Sequence, residues 1–247
     1  MKKLVSVVLF VSLVFATNCA TTGKNIVQKP GQQVACQLDK KAEVKAGYLL
    51  YLPADYGKDQ EKQWPLIFFL HGAGERGTDL NLVTKHGPPK LVKDDPNFPF
   101  VVLSPQCPEG RFWDNFTLLT LLDDAISNYR IDPDRVYLTG ISMGGYGTWS
   151  LATHYPERFA AIAPICGGGE LIPAIYLIKD LPIWAFHGAK DGTVPIEETQ
   201  RIVDALKAKS LDVHFTVYPD ADHDSWTETY NNVELYKWFL SHKRGQK

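Results

Sequence analysis

Apolar positions along this chain follow two alternating patterns, short continuous runs and helical spacings, from about residue 43 to residue 242. Trp64-Pro-Leu-Ile-Phe-Phe-Leu70 is apolar throughout, as a strand must be when both its faces are covered. The runs Phe98–Leu103, Val136–Leu138, Phe159–Ala163, Leu181–Phe186 and Val213–Tyr218 predict further buried strands. Val44, Gly47, Leu49 and Tyr51 predict an edge strand ended by Pro53. Between the runs, Leu118, Leu121, Leu122, Ala125 and Tyr129 recur at helical spacing behind a capping Asp114, and Asp132-Pro133 is expected to stop that helix. Tyr146–His154, Thr193–Lys209 and Trp226–His242 complete the predicted helices, the last as one amphipathic unit carrying Val233, Leu235, Tyr236, Phe239 and Leu240.

Strands alternating with helices predict an α/β architecture, a mostly parallel central sheet with helices on both faces. In such sheets ligands sit at the carboxyl ends of the strands. The short interval between Ile165 and Asp180 leaves little room for a large helical lid.

The amino terminus reads differently. Lys2 and Lys3 precede an apolar run from Leu4 to Phe15, too short to span a bilayer and the right length for a signal-peptide core. Residues 1–20 are therefore expected to direct export, to the periplasm, the medium or the outer envelope. Val14-Phe15-Ala16 fits ordinary cleavage, whereas Cys19 fits the lipid-bearing cysteine of a lipoprotein, although Asn18 is a poor residue before it. Residues 21–42 are polar and aperiodic and read as a tether, leaving residues 43–247 as a single catalytic domain. A chain of 247 residues with 45% hydrophobic content can bury one substantial core. A net charge of -2 with scattered Lys and Arg excludes the basic footprint of a nucleic-acid binder. Cys36, Cys107 and Cys166 allow at most one disulfide and have no metal-like spacing, so no metal and no cofactor is expected.

Candidate chemistry centres on Arg135-Val-Tyr-Leu-Thr-Gly-Ile-Ser-Met-Gly-Gly-Tyr-Gly-Thr-Trp149, a strand, a glycine-pinched turn and a helix start. Gly140, Ser142 and Gly144 form G-x-S-x-G, in which the small residues let a serine sit on a turn sharp enough to expose its hydroxyl. Serine is a weak nucleophile at neutral pH, so a base must take its proton and a carboxylate must orient that base. Chain order places the acid and then the base on loops after later strands. The loop His187-Gly-Ala-Lys-Asp-Gly-Thr-Val-Pro195 offers Asp191, and Pro219-Asp-Ala-Asp-His-Asp-Ser-Trp226 offers His223. His187 is expected to order its own loop, and Asp220, Asp222 and Asp224 to cap the final helix or face water. For the oxyanion, the backbone N–H of Met143 is one expected donor, and the glycine-rich loop His71-Gly-Ala-Gly-Glu-Arg-Gly77 offers Ala73 first and Gly74 second. Glu75 and Arg76 either bind a polar substrate group or pair with each other, pairing being the favoured reading, and Trp113 and Trp226 are candidate aromatic walls.

The motifs His71–Gly77, Leu103-Ser-Pro-Gln-Cys-Pro108, Gly140-Ile-Ser-Met-Gly-Gly-Tyr-Gly147 and Pro219–Trp226 resemble the α/β-hydrolase group of bacterial carboxylesterases, feruloyl-esterase-like and polyhydroxybutyrate-depolymerase-like enzymes and prolyl-oligopeptidase-type peptidases. The resemblance covers about residues 43–242 and implies an α/β-hydrolase fold with Ser142, Asp191 and His223 as its triad. Dienelactone-hydrolase relatives use cysteine at the elbow, where this chain has serine. The expected activity is hydrolysis of feruloyl or acetyl esters on plant polysaccharide, or of other small carboxylic esters, through an acyl-enzyme. A peptidase on the same fold and a non-catalytic binding protein on a hydrolase scaffold are the alternatives.

Overall fold

A computed structural model describes residues 43–246, and the structural statements below concern those residues. The signal-peptide, lipid-anchor and tether readings, with Cys19 and Cys36, lie outside them. In chain order the elements are β1 (Tyr48–Tyr51), β2 (Trp64–Leu70), α1 (Gly87–Leu91), β3 (Val101–Pro105), α2 (Asn115–Asn128), β4 (Ile131–Ile141), α3 (Met143–His154), β5 (Ala161–Ile165), α4 (Leu171–Leu177), β6 (Ile183–Gly188), α5 (Glu197–Lys207), β7 (Val213–Tyr218), α6 (Trp226–Asn231) and α7 (Val233–Ser241).

The strands form one seven-stranded sheet in the order β1-β3-β2-β4-β5-β6-β7. Only β1 runs antiparallel, pairing Tyr48–Tyr51 with Val102–Pro105 of β3. Side-chain alternation within β2 explains why that strand is apolar throughout. Leu66, Phe68 and Leu70 enter a core shared with Leu118 and Leu122 of α2, Trp149 of α3 and Ile202 of α5. Ile67 and Phe69 enter the opposite core, with Tyr230 of α6 and Leu235 and Phe239 of α7. The sheet is thus covered on both faces. From β2 the chain steps to β3 on one side and then crosses to β4 on the other, so the direction of winding reverses where the carboxyl ends of β2 and β4 adjoin.

Several boundaries differ from expectation. The helix behind Asp114 ends at Asn128, and Asp132-Pro133 lies inside β4 rather than before it. There the β2–β4 register jumps, Trp64 facing Ile131 and Leu66 facing Val136, and a proline is tolerated because the interrupted ladder does not need its missing donor. The predicted helix Trp226–His242 is two helices broken at Asn232, whose side chain accepts from the Glu234 N–H and so caps the second. The interval after β5 holds only the short helix α4, and no large lid occurs among the described residues.

Candidate active site

The elbow is built by exclusion of side chains. A Cβ placed on Gly140 would lie 2.4 Å from the Gly144 carbonyl oxygen, and one on Gly145 would lie 2.4 Å from the Ile165 oxygen. Backbone therefore packs on backbone around Ser142, which takes φ 51° and ψ -115°, a conformation costly for a residue with a side chain. The Ser142 N–H donates to Ile165 O at 3.0 Å, tying the turn to the end of β5.

Nε2 of His223 lies 2.9 Å from Ser142 Oγ, and Nδ1 of the same ring lies 2.8 Å from Asp191 Oδ2. A carboxylate only accepts, so Nδ1 carries the proton and Nε2 turns a lone pair toward the serine hydroxyl. The other oxygen of Asp191 accepts from the backbone N–H of Thr193 at 2.8 Å and of Val194 at 2.9 Å. Burial pulls the Asp191 pKa up, but the hydrogen bonds from His223, Val194 and Thr193 outweigh it and leave the carboxyl below its ordinary value. The carboxylate thus stays ionised, holding the imidazole in one tautomer.

The neighbouring candidates do other things. His187 is fully buried, with Nδ1 2.8 Å from Thr199 Oγ1 and Nε2 2.9 Å from Val194 O, so it orders the Asp191 loop. Asp220 pairs with Lys190, Asp222 accepts from the Asp224 N–H, and Asp224 accepts from both the N–H and the hydroxyl of Thr227 at the start of α6.

The donor loop meets the elbow directly. A Cβ on Gly72 would sit 3.7 Å from Ile141 O, next to the nucleophile position, whereas one on Gly74 would meet nothing within 4 Å. Ala73 to Glu75 form a short 3-10 turn with no side-chain cap, and α3 starts at Met143 with no side-chain cap from Ser142. Both turns present unclaimed first-turn N–H groups of the kind that stabilise negative oxygen. The expected Glu75–Arg76 pair is not formed. Glu75 turns inward, 6% exposed, with Oε1 3.8 Å from His86 Nε2. Arg76 instead donates to Ala73 O at 3.0 Å and to Arg111 O at 3.3 Å, bracing the loop from outside.

Two residues that hold this loop carry no sequence signal of that role. His71 is buried, its Nδ1–H bonded to Gly72 O at 2.6 Å while Nε2 accepts from the Cys107 N–H at 3.0 Å. Desolvation by burial depresses its pKa to about 4, so the ring is neutral and free to accept. Gln106 donates its side-chain amide to Glu75 O and Asp79 O. The tryptophans flank the site. Trp113 donates its indole N–H to His71 O at 3.2 Å, and Trp226 packs edge-on against the His223 ring with centroids 5.2 Å apart.

Comparison with known proteins supplies the family. The Dienelactone hydrolase family model matches residues 110–236. A bifunctional acetylxylan esterase/xylanase of Neocallimastix patriciarum is 27% identical over 213 residues, 81% of this chain but 29% of that protein. A poly(3-hydroxyoctanoate) depolymerase of Pseudomonas fluorescens is 27% identical over 177 residues, 62% of this chain and 63% of the relative. The chain thus spans less than two thirds of either relative. Among solved structures, a thermostable esterase superposes with a TM-score of 0.70 at 34% identity, covering 83% of this chain and 61% of the other. A ferulic acid esterase superposes with a TM-score of 0.60 at 15% identity, over 78% of this chain and 89% of the other, which speaks to the fold alone. With the matched segment running through the elbow serine to the histidine loop on an α/β-hydrolase sheet, the chain belongs to the Dienelactone hydrolase family.

Proposed function

We propose that this protein is a serine carboxylic-ester hydrolase working through an acyl-enzyme. The observation that carries the reading is the unbroken hydrogen-bonded series from Ser142 Oγ through His223 to Asp191 at 2.9 and 2.8 Å, mounted on a strained elbow. Ser142 Oγ attacks the ester carbonyl as its proton passes to His223 Nε2, and the Met143 and Ala73 N–H groups receive the oxyanion. The imidazolium, steadied by Asp191, gives the proton to the departing alkoxide, and water then releases the acid by the same steps in reverse. The substrates proposed are feruloyl or acetyl esters carried on plant polysaccharide, which fits the acetylxylan esterase/xylanase likeness and the exported location expected from residues 1–20.

Replacing Ser142 with alanine tests the chemistry. Hydrolysis of short-chain nitrophenyl esters should fall to the level of the oxyanion donors alone, roughly 10⁴-fold or more below the parent. A fluorophosphonate should label the parent at Ser142 and leave the variant unlabelled. Unchanged turnover in a folded Ser142→Ala protein would sink the reading. Release of ferulate, acetate and peptide amine from matched substrates then ranks ester against peptide chemistry.

A further inference from the structure

A cleft of about 800 Å³ is not lined by Ser142, Asp191 or His223. It opens on the β1 and β3 side of the donor loop, walled by Thr78, Gln106, Arg111, Phe112, Trp113 and Thr117. Trp113 joins it to the donor loop and the elbow helix. Its indole N–H donates to His71 O, its ring meets the His71 ring edge-on at 4.8 Å, and it fills the space that a Cβ on Gly147 of α3 would need. One side chain therefore borders both the elbow helix and the cleft.

Phe112 at the mouth is 77% exposed, and Phe116, four residues on, is 57% exposed. A single exposed ring is ordinary, but one at the mouth of a cleft of ligand-binding size, with a second exposed ring four residues on, marks an interaction patch. The wall sets the Phe112 and Trp113 rings beside apolar Leu80 and Leu118, with the Arg111 guanidinium and the Thr78 hydroxyl between them. A group held on Ser142 does not reach this cleft unless it is long, because none of the reacting side chains touches it. The occupant must be extended, with flat apolar faces for the rings and a polar rim for the side chains between them. A chain of pyranose rings has that form: axial C–H faces above and below, hydroxyls around the edge. A fatty chain has no groups to meet the Arg111 guanidinium and the Thr78 hydroxyl.

We infer that this cleft is a binding site for the sugar chain of a polymeric ester, separate from the triad and reached along Trp113. The inference rests on the esterase reading and gives the polysaccharide carrier proposed there a binding site of its own. It makes the protein an enzyme that grips its substrate at a distance from the bond it breaks.

The test uses full-length protein carrying Ser142→Ala, so that binding is read without turnover. Calorimetric titration with xylohexaose and, separately, cellohexaose should show one site for at least one of them. Adding Phe112→Ala should weaken that binding about tenfold, the loss of one stacking ring, and Phe112→Trp should restore it. Failure of both hexasaccharides to bind, or binding indifferent to Phe112→Ala, overturns the inference. So does uptake of dodecanoate in place of sugar, which would make the cleft an acyl-chain site. These outcomes are independent of the esterase reading, which stands or falls on nitrophenyl-ester turnover by the parent protein.

Discussion

A Cβ on Gly144 would lie 1.9 Å from the carbonyl oxygen of Leu70, so the first turn of α3 rests directly on the backbone at the end of β2. That contact is what brings the elbow and the donor loop into one site. Neither partner is a side chain that can swing away, so the conflict would have to be relieved by moving Ser142, the proposed nucleophile, relative to the proposed oxyanion donors. Gly144→Ala should cost about 3 kcal/mol or more in urea unfolding and abolish fluorophosphonate labelling of whatever folded protein remains. A stable, fully labelled variant would show that the elbow tolerates a shift this packing forbids.

Asp191 holds His223 through a carboxylate that receives three hydrogen bonds, one of them from the ring. Asp191→Asn keeps the shape but places an N–H₂ opposite Nδ1 or reorders the tautomer, so kcat should fall about 10⁴-fold with little change in KM. The same depressed carboxyl links to folding. Its folded pKa lies below the unfolded one, so its stabilisation is fully present above the ordinary carboxylate pKa and is lost as pH falls through the folded value. Acid unfolding profiles of the parent and Asp191→Asn should therefore converge at low pH and separate above it.

Much of this arrangement was legible in the chain because its signals are local. The unbroken apolar run Trp64–Leu70 and the β-branched run ending at Tyr218 each became a strand with the predicted bounds, since burial on both faces or a clear turn signal fixes such segments. Chain order places Ser142, Asp191 and His223 on successive loops as candidates, and the structure brings all three within hydrogen-bonding reach. What was missed depends on partners remote in sequence or on polar detail inside an apolar period. The break at Asn232 leaves the spacing of Tyr230, Leu235 and Phe239 apolar on both sides, so no hydrophobic pattern announces it. Arg76 chose the Arg111 carbonyl over its neighbour Glu75, and His71 chose the Cys107 N–H, contacts that exist only once β2 and β3 lie side by side.

His71 makes stability depend on pH in a window of its own. The ring is buried, and desolvation lowers its pKa from 6.5 to about 4 in the folded protein. Above the unfolded value both states are neutral and the ring contributes nothing to the pH dependence. As pH falls from 6.5 toward 4 the unfolded chain takes up a proton that the folded one refuses, and the folded state loses about 3 kcal/mol across that window. Urea unfolding at several pH values should show this slope, close to one proton, and His71→Gln should flatten it. Below the folded value the ring protonates, Nε2 can no longer accept from Cys107, and the donor loop should loosen with loss of activity.

Cys166 follows β5 directly, fully buried at φ 40°, and its sulfur lies within 4.8 Å of ligand atoms of both Asp191 and His223. A thiol so near the His223 imidazole, the base proposed above, invites the thought of a second nucleophile, which the family likeness to cysteine-using dienelactone hydrolases sharpens. Its surroundings argue otherwise. Burial pushes the pKa up to about 12, so the thiolate that would react is absent at neutral pH, and the sulfur has no path to solvent. Iodoacetamide at pH 8 should therefore leave native enzyme active and Cys166 unmodified by peptide mass spectrometry, with alkylation appearing only after unfolding. Cys166→Ala should keep fluorophosphonate labelling at Ser142. If alkylation of folded protein at Cys166 abolished turnover, the thiol would be reached by solvent through an opening of the β5 end that the packed site does not contain.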